Sequence, residues 1–148
     1  MSLLEVSSRV LVQAAPERVW QLAMDWSRQQ DWMWGTRVRG GTGVGAQVVA
    51  RTAVGPVGFA DTMVITQWDP PRRCVVRHTG KVVRGLGIFE VAPRGAHCEF
   101  RWTEQLDLPL SSAGLLGRWV VAPLGRWIVA PLARQGLAAC LRRFARLV

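Results

Sequence analysis

The fold is decided by residues 73–107, RCVVRHTGKVVRGLGIFEVAPRGAHCEFRWTEQLD. This stretch contains three runs rich in β-branched and aromatic residues, 73–79, 82–92 and 97–107, and each run predicts a strand. The connectors between them are short and contain Gly or Pro, which are typical turn residues. Strands that follow one another through tight turns pair as an antiparallel meander, so we expect an antiparallel sheet.

More strands are predicted towards the N-terminus. Residues 46–54 and 58–68 have the same strand-like composition, and the turns Gly55-Pro56 and Asp69-Pro70-Pro71 follow them. Residues 4–13 predict a further strand at the start of the chain. The meander is therefore expected to extend well beyond residues 73–107.

Two short helices are expected after the first strand. Ala15-Pro16-Glu17 opens the first one, because Pro is favoured in the first turn of a helix. Its apolar residues follow helical spacing: Val19, Leu22, Ala23 and Trp26. The second is expected at 27–33, with Ser27 as its cap. Four glycines between residues 40 and 45 then indicate turns.

The last part of the chain, 111–148, is predicted to be helical, with Ser111 or Ser112 as its cap. It contains a near-repeat, Gly117–Leu124 and Gly125–Leu132, and the proline in each copy should kink or break a helix. We therefore expect a short helix, an irregular piece and a main helix from about residue 131. The main helix carries an apolar stripe: Leu137, Cys140, Leu141, Phe144 and Leu147.

These elements predict an α+β fold in one domain, 1–148. A strongly curved antiparallel sheet would wrap around the long C-terminal helix and bury the apolar stripe. Two short helices follow the first strand. A cavity can remain between the sheet and the helix in such an arrangement.

Four sequence motifs occur in a characteristic order: residues 15–20 (APERVW), Gly43-Val44-Gly45, residues 68–73 (WDPPRR) and residues 100–104 (FRWTE). Together they resemble the START-like helix-grip (SRPBCC) superfamily, in particular its polyketide cyclase/dehydrase-like branch. The resemblance covers nearly the whole chain. The Gly117–Leu132 repeat departs from the pattern.

The resemblance implies a helix-grip fold with a hydrophobic pocket for a lipid-like, polyketide-like or other apolar ligand. It does not imply one activity, since related proteins include carriers, sensors and aromatase/cyclases, and a fold does not determine a function.

Side-chain alternation along the strands predicts which residues face the pocket. The apolar faces should point inward, and only three ionisable residues share those faces: Asp61, His78 and Glu104. A His beside a carboxylate in an apolar pocket could act as acid and base on a polyketide carbonyl, which makes these three the candidate catalytic residues. The alternatives are that His78 is solvated or hydrogen-bonded in the core, and that the carboxylates lie at the pocket mouth or a strand end.

The same three residues are also candidates for contact with the ligand. Further candidates lie on presumed inner faces, beside the pocket entrance or near the basic C-terminal segment: Met33, Trp34, Thr52, Met63, Gly85, Gly87, Phe89, Trp102 and Trp119. Gly85 and Gly87 would leave space in the cavity. A bulge or bend of the sheet is an equally good explanation for these two glycines.

Composition excludes several classes of protein. The chain has 148 residues, of which 49% are hydrophobic, and this excludes a disordered chain. Three dispersed cysteines exclude a disulfide scaffold and do not form a zinc motif, so we expect no metal and no cofactor. No signal-peptide pattern or apolar segment of membrane-spanning length is present, which favours a cytoplasmic protein with reduced thiols.

The formal net charge is +9, and all but one of the 19 basic residues are Arg. Six of them fall in residues 108–148, which contain no acidic residue. Arg beside Trp119 and Trp127 suggests a possible contact with an anionic membrane surface. A solvated basic face is the alternative. No nucleic-acid recognition motif is present, so nucleic acid is not expected as a partner.

Three functions remain open from the sequence. The first is binding of an apolar small molecule in a cavity between the sheet and the C-terminal helix. The second is a polyketide aromatase/cyclase that uses acid–base residues in that cavity. The third is an interaction protein that acts through its basic C-terminal helix at a membrane or a partner.

Overall fold

The computed structural model describes residues 2–80, 83–108 and 130–148. In these ranges it contains seven strands, two α-helices and a 3₁₀ helix. The elements in chain order are β1 (Ser2–Val12), α1 (Pro16–Ala23), the 3₁₀ helix (Trp26–Asp31), β2 (Thr36–Gly40), β3 (Gln47–Val54), β4 (Val57–Asp69), β5 (Arg73–Thr79), β6 (Arg84–Arg94), β7 (His97–Leu108) and α2 (Ala130–Leu147).

The strands form one antiparallel sheet in the order β1-β7-β6-β5-β4-β3-β2. From β2 to β7 each strand pairs with the next one in the chain, and β1 pairs with β7 to complete the sheet. The predicted meander and the α+β class are therefore confirmed.

The main error of the sequence prediction lies between α1 and β3. Residues 36–40 form strand β2, which was not predicted. Of its five residues only Val38 is buried, so the sequence carries almost no period-2 apolar signal. The second short helix is a 3₁₀ helix that begins at Trp26, and the side chain of Asp25 caps it by accepting a hydrogen bond from the Ser27 backbone N–H. Ser27 is therefore not the cap.

Helix α2 packs on the inner face of the sheet through its apolar stripe. Leu137, Leu141 and Phe144 are buried, whereas Leu147, predicted in the same stripe, is exposed because the stripe ends near the C-terminus. The ring of Phe144 contacts Trp32 edge-on, with ring centroids 5.2 Å apart, and lies 4.6 Å from Phe100. These aromatic contacts join α2 to the sheet and to the segment after the 3₁₀ helix.

The described part of helix α2 starts at Ala130, directly after residues that the structure does not describe, and it includes Pro131. The predicted caps Ser111 and Ser112, residue Trp119 and residues 117–129 of the repeat lie outside the described residues. Within the described residues, no helix is long and apolar enough to cross a membrane.

Candidate functional site

A cavity of about 160 Å³ lies on the inner face of the sheet, where the 3₁₀ helix and the residue Met33 cover it. Its wall is largely apolar, with side chains from six strands: Val38, Val48, Met63, Val76, Phe89 and Trp102. Gln29, Thr36 and Thr52 add polar groups to the wall. The arrangement suits a ligand that is mainly apolar and carries few polar groups.

A second, larger cleft of about 370 Å³ adjoins the cavity. Met33, Thr36 and Trp102 line both spaces, so the cleft continues outward from the cavity. Helix α2 contributes Gly136, Ala139 and Cys140 to the cleft. The predicted space between sheet and C-terminal helix therefore corresponds to the outer cleft, and the inner cavity is enclosed by the sheet and the segment around the 3₁₀ helix.

Three ionisable side chains meet at one side of the cavity. The Nδ1 atom of His78 lies 2.8 Å from Oδ2 of Asp61, and its Nε2 atom lies 3.1 Å from Oε2 of Glu104. The other oxygen of Glu104 accepts a hydrogen bond of 2.7 Å from the indole N–H of Trp102. We call Asp61, His78 and Glu104 the carboxylate–histidine triad.

The strand register explains how these three side chains meet. Asp61 is on β4 and His78 is on the neighbouring β5, where His78 pairs with Met63. Glu104 is on β7, so His78 must reach across the intervening strand β6. Gly87 is the residue of β6 directly opposite Glu104, and a Cβ atom there would lie 3.3 Å from Oε1 of Glu104. The absence of a side chain at this position leaves room for the contact.

The triad sets the protonation state of His78. Burial alone would lower the pKa of this imidazole, but hydrogen bonds to Asp61 and Glu104, together with their negative charges, outweigh burial and raise the pKa from 6.5 to about 9. His78 is therefore an imidazolium at neutral pH, and it donates one N–H to each carboxylate. Such a group can supply a proton and can stabilise negative charge that develops nearby.

Gly85 has a different role from that of Gly87. Gly85 lies opposite His78 on β6, and its φ is +125°. A Cβ atom at this residue would lie 1.9 Å from the carbonyl oxygen of Gln105. No side chain fits there. Gly85 lines a surface groove of about 410 Å³, and His78 and Asp107 also line this groove. His78 is therefore positioned between the cavity and the groove.

The structure brings most of the sequence-predicted site residues together around the cavity: Met33, Thr52, Asp61, Met63, His78, Phe89, Trp102 and Glu104. Trp34 is 76% exposed and lines only the outer cleft, where the guanidinium of Arg143 lies 5.8 Å from the centre of its ring. Gly85 lines the surface groove. Trp119 lies outside the described residues.

Sequence reasoning missed several residues of the wall: Trp26, Gln29, Thr36 and Val38. Thr36 and Val38 belong to the strand that was not predicted. Trp26 was assigned to helix packing, and its indole N–H donates to the carbonyl of Gly41 at 2.8 Å. The one sequence signal that could have identified Thr36 and Val38 as wall residues is their alternation, which puts both side chains on the same face of a strand.

Within the described part of the chain, no cluster of three His, Cys, Asp or Glu residues has an arrangement that could hold a metal ion. Both ring nitrogens of His78 are already engaged by carboxylates. Among the residues that the structure describes, the groups available for chemistry in the cavity are the triad and the polar side chains of the wall.

Solved structures share this fold over nearly the whole chain. The protein TTHA0849 from Thermus thermophilus has a TM-score of 0.73 and 17% sequence identity, and the match covers 97% of this chain and 95% of that one. The Zhui aromatase/cyclase from Streptomyces sp. R1128 has a TM-score of 0.74 and 19% identity, with 97% and 92% covered. At such low identity, the similarity shows the fold alone.

A third structure is the di-domain ARO/CYC StfQ from the steffimycin biosynthetic pathway, with a TM-score of 0.78 and 10% identity. The match covers 97% of this chain and 50% of StfQ. No match was found among curated proteins. A family model described as polyketide cyclase / dehydrase and lipid transport matches residues 4–145.

Proposed function

The chain belongs to the polyketide cyclase / dehydrase and lipid transport family, and from this premise we propose that it binds an apolar small molecule, lipid-like or polyketide-like, in the cytoplasm. The observation that carries the proposal is the apolar cavity of about 160 Å³ and its continuation into the outer cleft. Transfer of an apolar ligand surface from water into such a site stabilises the complex by about 25 cal/mol per Å².

The sizes of the two spaces limit the shape of the ligand. An apolar cavity of about 150 Å³ is large enough for a benzene ring. One ring therefore fits the inner cavity, and a chain or further ring can extend past Met33 and Trp102 into the cleft. A simple probe of this shape is n-butylbenzene.

Filling the cavity tests the proposal. Ala50 lines the cavity on β3, so Ala50→Leu adds carbon atoms where the ring of the ligand would lie. Ala60, on β4, is exposed, and Ala60→Leu makes the same change outside the cavity. Binding of n-butylbenzene, measured by ligand-observed NMR, should fall at least tenfold in Ala50→Leu and stay unchanged in Ala60→Leu. Equal binding by both variants would overturn the proposal.

A second candidate function is acid–base catalysis on the bound molecule, as in an aromatase/cyclase. The specific observation in its favour is the imidazolium of His78, held by two carboxylates at the cavity wall. Because both N–H groups of His78 are hydrogen-bonded to carboxylates, its proton would pass through Asp61 or Glu104 to a ketone oxygen, while the other carboxylate accepts a proton from carbon. The surface groove beside Gly85 would let His78 exchange protons with solvent.

Catalysis is tested with a linear poly-β-ketone thioester as substrate and cyclised product as readout. His78→Gln removes the titrating group and should lower turnover roughly 100-fold, in the range typical of a general acid. His97, the other histidine, lies outside the cavity lining, and His97→Gln is the matched control. Unchanged product formation in His78→Gln would remove the catalytic function while leaving ligand binding in place.

A peripheral contact with anionic membrane would bring the cleft to a source of apolar ligand. Arg134, Arg142 and Arg146 are exposed on α2, and Trp34 is exposed beside the cleft. Co-sedimentation with vesicles containing anionic lipid should fall when Arg142 and Arg146 are replaced by Gln. Sedimentation that does not depend on these arginines would exclude this contact.

A further inference from the structure

The hydrogen-bond donors in the cavity wall are already used within the protein. His78 donates both ring N–H groups to Asp61 and Glu104, and Trp102 donates its indole N–H to Glu104. A ligand that needs a donor from this part of the wall finds none.

The other polar side chains of the wall follow the same pattern. The hydroxyl of Thr36 donates to the carbonyl of Trp34 at 3.1 Å. The hydroxyl of Thr52 lies 3.1 Å from that of Thr36 and can donate to it. The amide of Gln29 donates to the carbonyl of Ala23. Only the second amide hydrogen of Gln29 is left without a partner among the described residues.

Acceptor capacity, in contrast, is in surplus. Two carboxylates provide four oxygens with about eight lone-pair sites. Three N–H groups occupy part of this capacity. The side chains of Asp61 and Glu104 keep 13% and 17% exposure while lining the cavity, so their free lone pairs are accessible to a ligand.

The charge of the wall excludes one class of ligand group. One imidazolium between two carboxylates leaves one formal negative charge, and no Arg or Lys is among the described residues that line the cavity. An anionic group would be repelled at short distance in a weakly polar environment. A cation must lose its hydration in a largely apolar cavity, which costs free energy before any ion pair forms, whereas a neutral hydroxyl loses much less.

We propose that the ligand of this cavity carries a neutral hydrogen-bond donor, a phenolic or alcoholic hydroxyl, which binds the free carboxylate lone pairs of Asp61 or Glu104. This inference rests on the proposed function, since it names the polar group of the apolar molecule. A hydroxyl adds a charge-assisted hydrogen bond without adding a charge, and such bonds are among the stronger ones in proteins.

The test compares matched probes at pH 7. 4-Butylphenol, 4-butylanisole, 4-butylbenzoate and 4-butylbenzylammonium share ring and chain with n-butylbenzene and differ only in the polar group. By isothermal titration calorimetry, the phenol should bind roughly ten- to a hundredfold tighter than both the anisole and n-butylbenzene. The benzoate and the ammonium should both bind more weakly than the phenol.

The outcomes separate the two proposals. If n-butylbenzene binds and the phenol has no advantage over it, or if the benzoate or the ammonium binds best, the hydroxyl inference is wrong and ligand binding stands. If no probe binds, the proposed function itself fails.

Variants locate the interaction. Glu104→Gln and Asp61→Asn keep the size of each side chain and replace a carboxylate by an amide. At least one of them should reduce the advantage of the phenol over n-butylbenzene by tenfold or more, whereas Ala60→Leu should preserve it. An advantage that survives both amide substitutions would show that the carboxylates do not hold the hydroxyl. Circular dichroism establishes that each variant is folded.

Discussion

The protonation of His78 makes the stability of the protein depend on pH in a defined way. The pKa of His78 is about 9 in the folded protein and 6.5 in the ordinary, unfolded environment. The folded state therefore binds this proton more tightly than the unfolded state. The resulting stabilisation is fully present below pH 6.5 and is lost as the pH rises through about 9.

The size of the effect follows from the two pKa values, 6.5 and about 9. A tenfold difference in proton affinity corresponds to 1.4 kcal/mol, so the full effect is about 3 kcal/mol. The His78 side chain is only 5% exposed, so solvent screening reduces this figure little. A change of this size is a large part of the stability of a typical domain.

Replacing His78 by Gln removes the titrating group and isolates its contribution. The free energy of unfolding is measured from urea denaturation, followed by tryptophan fluorescence, between pH 6 and pH 10. Between these limits, the free energy of unfolding of the wild type should fall by about 3 kcal/mol more than that of His78→Gln. Burial raises the pKa of Cys74 to about 12, which also lowers stability at high pH, but this contribution is common to both proteins and cancels.

The matched control is His97→Gln, which removes the other histidine and should leave the pH dependence of the wild type unchanged. Parallel curves for the wild type and His78→Gln from pH 6 to pH 10 would refute the reasoning. They would mean that the two carboxylates do not hold a proton on His78.

Three further substitutions test the packing around the site, each by urea denaturation. Gly87→Ala places a methyl group 2.9 Å from Val76 and 3.3 Å from Glu104. This crowding should lower the free energy of unfolding by about 1–3 kcal/mol and should also lower the pKa of His78. An unchanged pKa of His78 would show that Gly87 does not make room for the triad. Gly136→Ala meets no atom within 4 Å in helix α2 and should raise the free energy of unfolding by about 1 kcal/mol, whereas a loss would mean that this part of the helix is packed. Leu141→Ala empties a fully buried position and should cost about 2–5 kcal/mol, and a cost below 1 kcal/mol would contradict the packing of α2 on the sheet.

Much of the fold could be predicted from the sequence because its strands are long and closely spaced. The runs around His78 and Glu104 have strand composition and end in Gly or Pro turns, so both the pairing order and the inner faces follow from local rules. The C-terminal helix has a regular apolar stripe, and the described helix Ala130–Leu147 contains every residue of that stripe.

Strand β2 could not be predicted because it is held by pairing with β3 and not by its own pattern. It has five residues, and only Val38 is buried. Because β2 was not predicted, Thr36 and Val38 were not predicted to line the cavity. The sequence prediction also did not show that the 3₁₀ helix covers the cavity. Tertiary pairing determines such short strands more than intrinsic propensity does.

The two glycines of β6 show where sequence reasoning about a site stops. Alternation puts Gly85 and Gly87 on one face, yet only Gly87 lies beside Glu104 in the triad. The positive φ of Gly85 turns that position towards the backbone of Gln105. Such a local change of backbone conformation depends on the twist and register of the whole sheet, which residue types alone do not specify.

The most direct test of the account is a crystal structure of the protein grown with 4-butylphenol. The account predicts the ring of the probe in the cavity against Met63 and Phe89, with its hydroxyl within hydrogen-bond distance of the carboxylate of Asp61 or Glu104. A cavity closed by its own side chains, or a probe bound elsewhere with the triad untouched, would contradict it.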